Sequence, residues 1–273
     1  IYFINVKKAL KYTSEITIDY NGTKTNNKIG FFERNEISHP IFKNYIVTGQ
    51  PFYLKSYLEF NSKLYLKHYV GKTLPALSPM SSKKQNFASE VSADSIIEVS
   101  MDKEIVLQKE GLYVLTENPN NHTDGFGFLV KNERFPRETY PDELKEALVY
   151  LSSGKEIELL RNNTDSKAGI DFYFLNLAKG DINLAQKIIK NYYTRVTEAN
   201  ELFSNFKEGW KTDKGMVYIV MGPPIKIQKS RNREVWIYSH LRNNSEVLYT
   251  FYQRNNNFSD QSFELVRYSD YSS

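Results

Sequence analysis

The period of the apolar residues changes twice along this chain, and that switch limits the possible folds more than any other feature. Phe52, Leu54, Leu58 and Phe60 alternate with Tyr53, Lys55, Tyr57 and Glu59, the period of two expected of a half-buried strand. Leu64–Val70, Ile96–Met101, Ile105–Leu107, Gly111–Thr116 and Phe126–Val130 are further short apolar runs, with turn residues between them. Strands at this spacing predict a sandwich. Thr73–Ser92 is polar and Ser-rich with two prolines, and is predicted to be a long loop.

From Pro141 the period becomes helical. Pro141 fits a first helical turn, and Asp142 and Glu143 follow where the helix dipole favours acids. Leu144, Ala147, Leu148 and Leu151 share a face, and Gly154 is expected to stop the run. A second helix is predicted over about 166–178. A third, capped by Asp181, is predicted to reach Phe206, with Leu184, Ile188, Tyr192, Val196, Ala199 and Phe203 on one face. After it the pattern returns to strands: Met216–Met221, ended by Gly222-Pro223-Pro224, then Val235–Ser239, Val247–Tyr252 and Phe263–Tyr268. The Asn243-Asn244 and Asn255–Asn257 clusters supply turns. The expected architecture is α+β in three parts. An antiparallel β-sandwich spans residues 1–138, a helical connector 139–206, and an antiparallel sheet packed on the long helix 207–273.

Composition narrows the chemistry. The 273 residues include no cysteine, which excludes disulfides, Cys-ligated zinc and thiol catalysis. A net charge of +4, from 36 basic and 32 acidic residues, is too small and too dispersed to predict a nucleic-acid partner. Twenty Tyr and seventeen Phe suit strands, and they suit binding faces equally. No apolar run approaches the roughly 20 residues that span a bilayer. The chain starts at Ile1 without an initiator Met, and is expected to be a processed or trimmed product.

Enzyme motifs fail individually. Gly71-Lys72-Thr73 lacks the earlier glycine of a phosphate loop, whose place is taken by Leu66. Ser81-x-x-Lys84 has the spacing of a serine–lysine nucleophile without its companion motifs. His39, His68, His122 and His240 have no metal-ligand spacing. Neither cofactor nor metal is expected. The carboxylates first in line for acid–base work are Glu198 and Asp213, for which helix-surface pairing and turn capping are the preferred reading.

One ordered set of residues is specific. Tyr192-Tyr193-x-Arg195-Val196 and Glu198-Ala199-Asn200-x-x-Phe203 precede Gly209-Trp210-Lys211-Thr212-Asp213. Lys214-Gly215 and Met216–Met221 lead to Gly222-Pro223-Pro224, and Trp236-Ile237-Tyr238 follows. This order resembles the GWxTD-domain family of Bacteroidota and related bacteria, over about residues 126–268. The resemblance implies a signal or lipoprotein sequence upstream, and hence an outer-membrane-associated place in the cell envelope. It implies a partner protein in a larger complex more readily than a reaction. The expected role is a non-catalytic scaffold or accessory subunit of an outer-membrane assembly or secretion complex. The alternatives are a carbohydrate-binding envelope protein and an envelope hydrolase with an unrecognised carboxylate pair.

Within the motif, Gly209 is expected to free the backbone as the long helix ends, and Trp210 to fold back into the core. Thr212 and Asp213 are expected to fix the turn into a strand. Gly222, Pro223 and Pro224 then end that strand, and Trp236 lies on the next. Together with Lys211, these nine residues are the candidate interaction site.

Overall fold

Strand alternation and helix caps set out two compact units, residues 1–71, 89–132 and 255–260 in one and 72–88, 133–254 and 261–273 in the other. The structure, a computed structural model, describes residues 2–4, 17–19, 29–32, 44–56, 63–71, 73–81, 92–120, 125–230, 232–239, 246–254, 259 and 262–267. Residues 57–62, Lys72, Lys84, His39, His122, His240 and the Asn243-Asn244 and Asn255–Asn257 clusters lie outside them.

The first unit contains β1 (Tyr2–Ile4), β2 (Thr17–Asp19), β3 (Ile29–Phe32), β4 (Tyr45–Val47) and β5 (Pro51–Ser56). It continues with β6 (Leu64–Tyr69), β7 (Ser95–Val99), β8 (Glu104–Val106), β9 (Gly111–Thr116) and β10 (Phe126–Lys131). Strands β1 and β2 pair with each other. The sheet orders are β3-β5-β8 and β4-β10-β9-β6-β7. Period-two alternation puts Phe52, Leu54 and Ile105 of the smaller sheet into one core with Leu64, Leu66, Tyr113, Leu115, Phe128 and Val130 of the larger. Tyr53, of opposite parity, instead donates its hydroxyl proton to Glu104 (2.9 Å). The larger sheet is mixed, because β4 runs parallel to β10. The two lie far apart in sequence, which gives the crossover length that a parallel pair needs.

The second unit contains helices α1 (Pro141–Ala147), α2 (Gly154–Asn162), α3 (Ser166–Leu177), α4 (Ile182–Phe203) and α5 (Asp213–Met221). Its sheet contains β11 (Lys226–Lys229), β12 (Arg233–Ser239), β13 (Glu246–Gln253) and β14 (Phe263–Leu265), antiparallel in that order. The helices from α1 onward share one apolar core with this sheet, running from Ala147 and Leu148 through Tyr192, Val196 and Trp210 to Trp236 and Phe251. The helical segment is thus built into the same core as the C-terminal strands.

Three expectations are corrected. Gly154 does not end a helix but opens α2. Ser153 caps it and exchanges bonds with Glu156 in a capping box. Helix α4 starts at its Asp181 cap as expected, but stops at Phe203 instead of Phe206. Leu184 is exposed and Ala185 takes its place in the buried stripe. Met216–Met221 is helical, not a strand. A short apolar run has no period of its own, so its ends decide its state. Here Thr212 caps the start, and Gly222, at φ +80°, provides the C-terminal turn that closes α5.

Candidate functional site

The candidate residues converge where α4 turns into α5. Ser204 ends α4 and turns its hydroxyl back, donating to the Asn200 carbonyl (2.6 Å) and accepting from the Gly209 N–H (3.0 Å). Residues 209–211 form a single 3-10 turn. Gly209 lies directly against α4, where a methyl group would overlap the Ala199 carbonyl. Gly215, in the first turn of α5, lies as closely on the Gly209 carbonyl. The two glycines let helix, turn and helix stack backbone on backbone.

Trp210 is pinned at both ends of its backbone. Its N–H donates to Asn200 Oδ1 (3.0 Å), and its carbonyl accepts from the Tyr150 hydroxyl (2.9 Å). The indole is buried, edge-on to the Tyr150 ring at 6.2 Å between centroids, with Lys211 Nζ 5.3 Å above it. Lys211 pairs with Glu208 (2.9 Å), which also accepts from Thr73 (3.1 Å). Burial raises the Tyr150 hydroxyl well above the ordinary tyrosine value, so it stays a donor.

Thr212 donates its hydroxyl proton to the Gly209 carbonyl (2.7 Å) and accepts from the Gly215 N–H (2.9 Å). It therefore caps a helix, where a turn into a strand was expected. Asp213, buried, faces the C-terminal strand. One oxygen accepts from Leu265 N–H (2.7 Å), and both accept from the Arg267 guanidinium (2.7 and 3.1 Å). Arg267 also donates to the carbonyls of Leu77 (2.9 Å) and Ser78 (3.2 Å). The segment expected to be a loop after Thr73 thus has no regular structure over 73–78, yet it is held to the motif at Thr73, Ala76, Leu77 and Ser78.

Gly222 closes α5 beside Arg195, whose guanidinium donates to the carbonyls of Ile219 (3.0 Å) and Val220 (3.1 Å). The Gly222 carbonyl accepts from Tyr238 (2.9 Å). Pro223 is exposed and Pro224 half-buried. Trp236 is buried between Phe203 (5.4 Å) and Phe251 (4.9 Å), its N–H donating to Glu234 (3.2 Å). Burial opposes the charge on Glu234, but the Lys214 and Lys229 ammoniums and the Trp236 N–H outweigh it and hold the carboxyl below its usual range. The structure brings Gly209, Trp210, Thr212 and Asp213 into one buried cluster; Gly222 and Trp236 serve the far end of α5 and the sheet.

Two carboxylates were candidates for acid–base work. Glu198 accepts from the Tyr218 hydroxyl (3.0 Å), while Asp213 is occupied by Arg267 and Leu265. Lys207 is buried beside this cluster, and burial pushes its amine down to about 8 against the pull of Asp213. Among the described residues, no group of three His, Asp or Glu side chains is placed to hold a metal ion. Among them too, no helix is long and apolar enough to cross a membrane.

Several participants had no assigned role at the level of sequence. Asn200 is wholly buried and joins three segments, donating to the Pro136 carbonyl (2.9 Å) and Glu138 (3.0 Å) while accepting from Trp210. Its signal was available: an amide inside the apolar stripe of α4, between Ala199 and Phe203, needs partners. Gly215 gave no such signal, because the Val-, Ile- and Tyr-rich run after it reads as a strand. Arg267 has none, since it lies 54 residues from Asp213.

The model of the GWxTD domain matches residues 111–273, starting in β9 and running to the end of the chain. No curated protein and no solved structure matches the sequence.

Proposed function

This chain belongs to the GWxTD-domain family, and on that premise we propose that it is a non-catalytic scaffold of the cell envelope. It would be an accessory subunit that holds a protein partner in an outer-membrane assembly. One observation carries the reading. Every motif side chain able to do chemistry is already committed within the chain: Thr212 to its cap, Asp213 to Arg267 and Leu265, Lys211 to Glu208. A catalytic carboxylate or base needs an open side toward substrate, and these groups face the interior. A sugar site would call for an exposed aromatic row. Among the described residues both Trp side chains are buried, and Tyr140 and Tyr252 are the exposed tyrosines. The outer-membrane placement rests on the family resemblance alone.

Purification from native membranes in mild detergent tests the proposal. The chain should elute in a complex with at least one other protein, over an interface of about 1,000 Å² or more. Recovery only as a free monomer, with turnover of an envelope polymer that disappears in Asp213→Asn or Glu198→Gln, would replace the scaffold with an enzyme.

A further inference from the structure

Residues 73–78 cross the second unit without regular structure, and three side chains hold them. The Thr73 hydroxyl donates to Glu208 (3.1 Å) and the Ala76 N–H to the Tyr150 hydroxyl (3.1 Å). The carbonyls of Leu77 and Ser78 accept from Arg267 (2.9 and 3.2 Å). Each holder is fixed by groups outside the segment. Tyr150 donates to the Trp210 carbonyl, Arg267 to Asp213 and the Leu265 carbonyl, and Glu208 pairs with Lys211. Together they form a cradle that mostly engages backbone. It asks two things of the side chains it receives: a hydroxyl for Glu208 and, three residues on, a side chain small enough for the place of Ala76, which is 6% exposed within the core cluster.

The segment is held as a ligand is held. Its large apolar neighbours do not anchor it, since Leu74 and Met80 are 69% and 63% exposed. Ala76 alone among residues 73–78 is buried. An element with so few buried apolar contacts opens at a fraction of the global unfolding free energy. Strands β6 and β7, which this stretch of chain connects, pair directly with each other, so their ladder does not depend on it. Leu74 and Ser78 each precede a proline, which keeps them in extended backbone and lowers the ordering cost of lying in the cradle.

We propose that residues 73–78 are a built-in, displaceable ligand, and that the cradle beneath them is a docking site for an extended partner segment of the same chemistry. That segment carries a Ser or Thr hydroxyl and, three residues on, an alanine-sized side chain with a backbone N–H, followed by two carbonyls for Arg267. The seated segment defines these requirements. Proline cannot stand at the alanine place, because Tyr150 takes an N–H there, and a larger side chain would overpack the core. Intramolecular attachment gives residues 73–78 a local concentration of about millimolar, so the resting chain is closed and a partner must outbid it. This rests on the scaffold reading and gives it an address. The buried motif then acts indirectly, holding Tyr150 through the Trp210 carbonyl.

The test uses the full chain, wild type and Ala76→Asp, whose carboxylate cannot stay buried and expels the segment. A fluorescein-labelled peptide of residues 72–80 should bind the variant saturably by fluorescence anisotropy. The wild type, its cradle filled, should bind about tenfold more weakly or less. The same peptide carrying Ala76→Asp should bind neither protein. Adding Tyr150→Phe to the variant removes the acceptor for the backbone N–H, and should weaken binding about tenfold. In the wild type, amide exchange at Ala76 should be about a hundredfold or more faster than at Val196, buried in α4. No peptide binding to a folded Ala76→Asp chain, equal binding to both proteins, or exchange at Ala76 as slow as at Val196 would each overturn the proposal. So would an Ala76→Asp chain that fails to fold, since the segment would then belong to the core. If the native complex is unaltered by both Ala76→Asp and Tyr150→Phe, the cradle is wrong while the scaffold reading stands; a chain never found in a complex defeats that reading itself.

Discussion

Gly209→Ala should destabilise the second unit by about 4 kcal/mol, the combined effect of overpacking and of losing a hydrogen bond in the turn. The added methyl group meets the Ala199 carbonyl, which is backbone in the middle of α4 and has no rotamer by which to move aside. The turn must therefore shift, breaking contacts that depend on its position: Gly209 N–H to Ser204, Trp210 N–H to Asn200 and the Thr212 hydroxyl to the Gly209 carbonyl. Set against a total stability of about 5–15 kcal/mol, that loss should lower soluble yield and shift the denaturant midpoint strongly. Gly154→Ala is the control. It sits at the start of α2 with nothing within 4 Å of the new methyl, and should be neutral or slightly stabilising. Equal midpoints for the two variants would mean that α4 and the turn do not touch.

Trp210→Ala should cost about 3–5 kcal/mol, the range for emptying a large buried aromatic site. The indole is 3% exposed, and its neighbours cannot easily close the gap, because the backbone on either side is tied to Asn200 and Tyr150. Trp210→Phe keeps most of the volume and should lose less than half as much. Urea unfolding of the three proteins gives the comparison directly. An unchanged midpoint in Trp210→Ala would move this residue from the core to a surface.

How far the fold could be read from residues depended on whether the signal was local. The sandwich faces followed from alternation, since Phe52 and Leu54 cannot share a face with Tyr53 on a pleated strand. The Asp181 cap was legible because an N-cap acts on a backbone N–H only three residues away. Helix α5 was misread for a physical reason: Met216–Ile219 is buried at four consecutive positions, and such a run carries no period that separates helix from strand. The flanking Thr212 and Gly222 held the answer. The start of α2 was misread because Gly154 was weighed before the capping pattern Ser153-x-x-Glu156. At the candidate site, the motif glycine and tryptophan pointed to a close turn and a buried ring. The Asp213–Arg267 fork and the tethering of residues 73–78 are long-range, and a single sequence carries no mark of them.

The central claim is that the motif's chemistry is spent on folding, and Asp213→Asn tests it with the smallest change of shape. The asparagine retains one acceptor but turns an amide N–H₂ toward the Arg267 fork, while Arg267 keeps the carbonyls of Leu77, Ser78 and Leu265. Equilibrium unfolding in urea should show a loss of about 2–3 kcal/mol, the scale of a buried hydrogen bond to a charged group, while partner binding per folded molecule is unchanged. An unchanged unfolding midpoint, accompanied by loss of partner binding or of an enzymatic activity, would contradict the claim and make Asp213 a working residue.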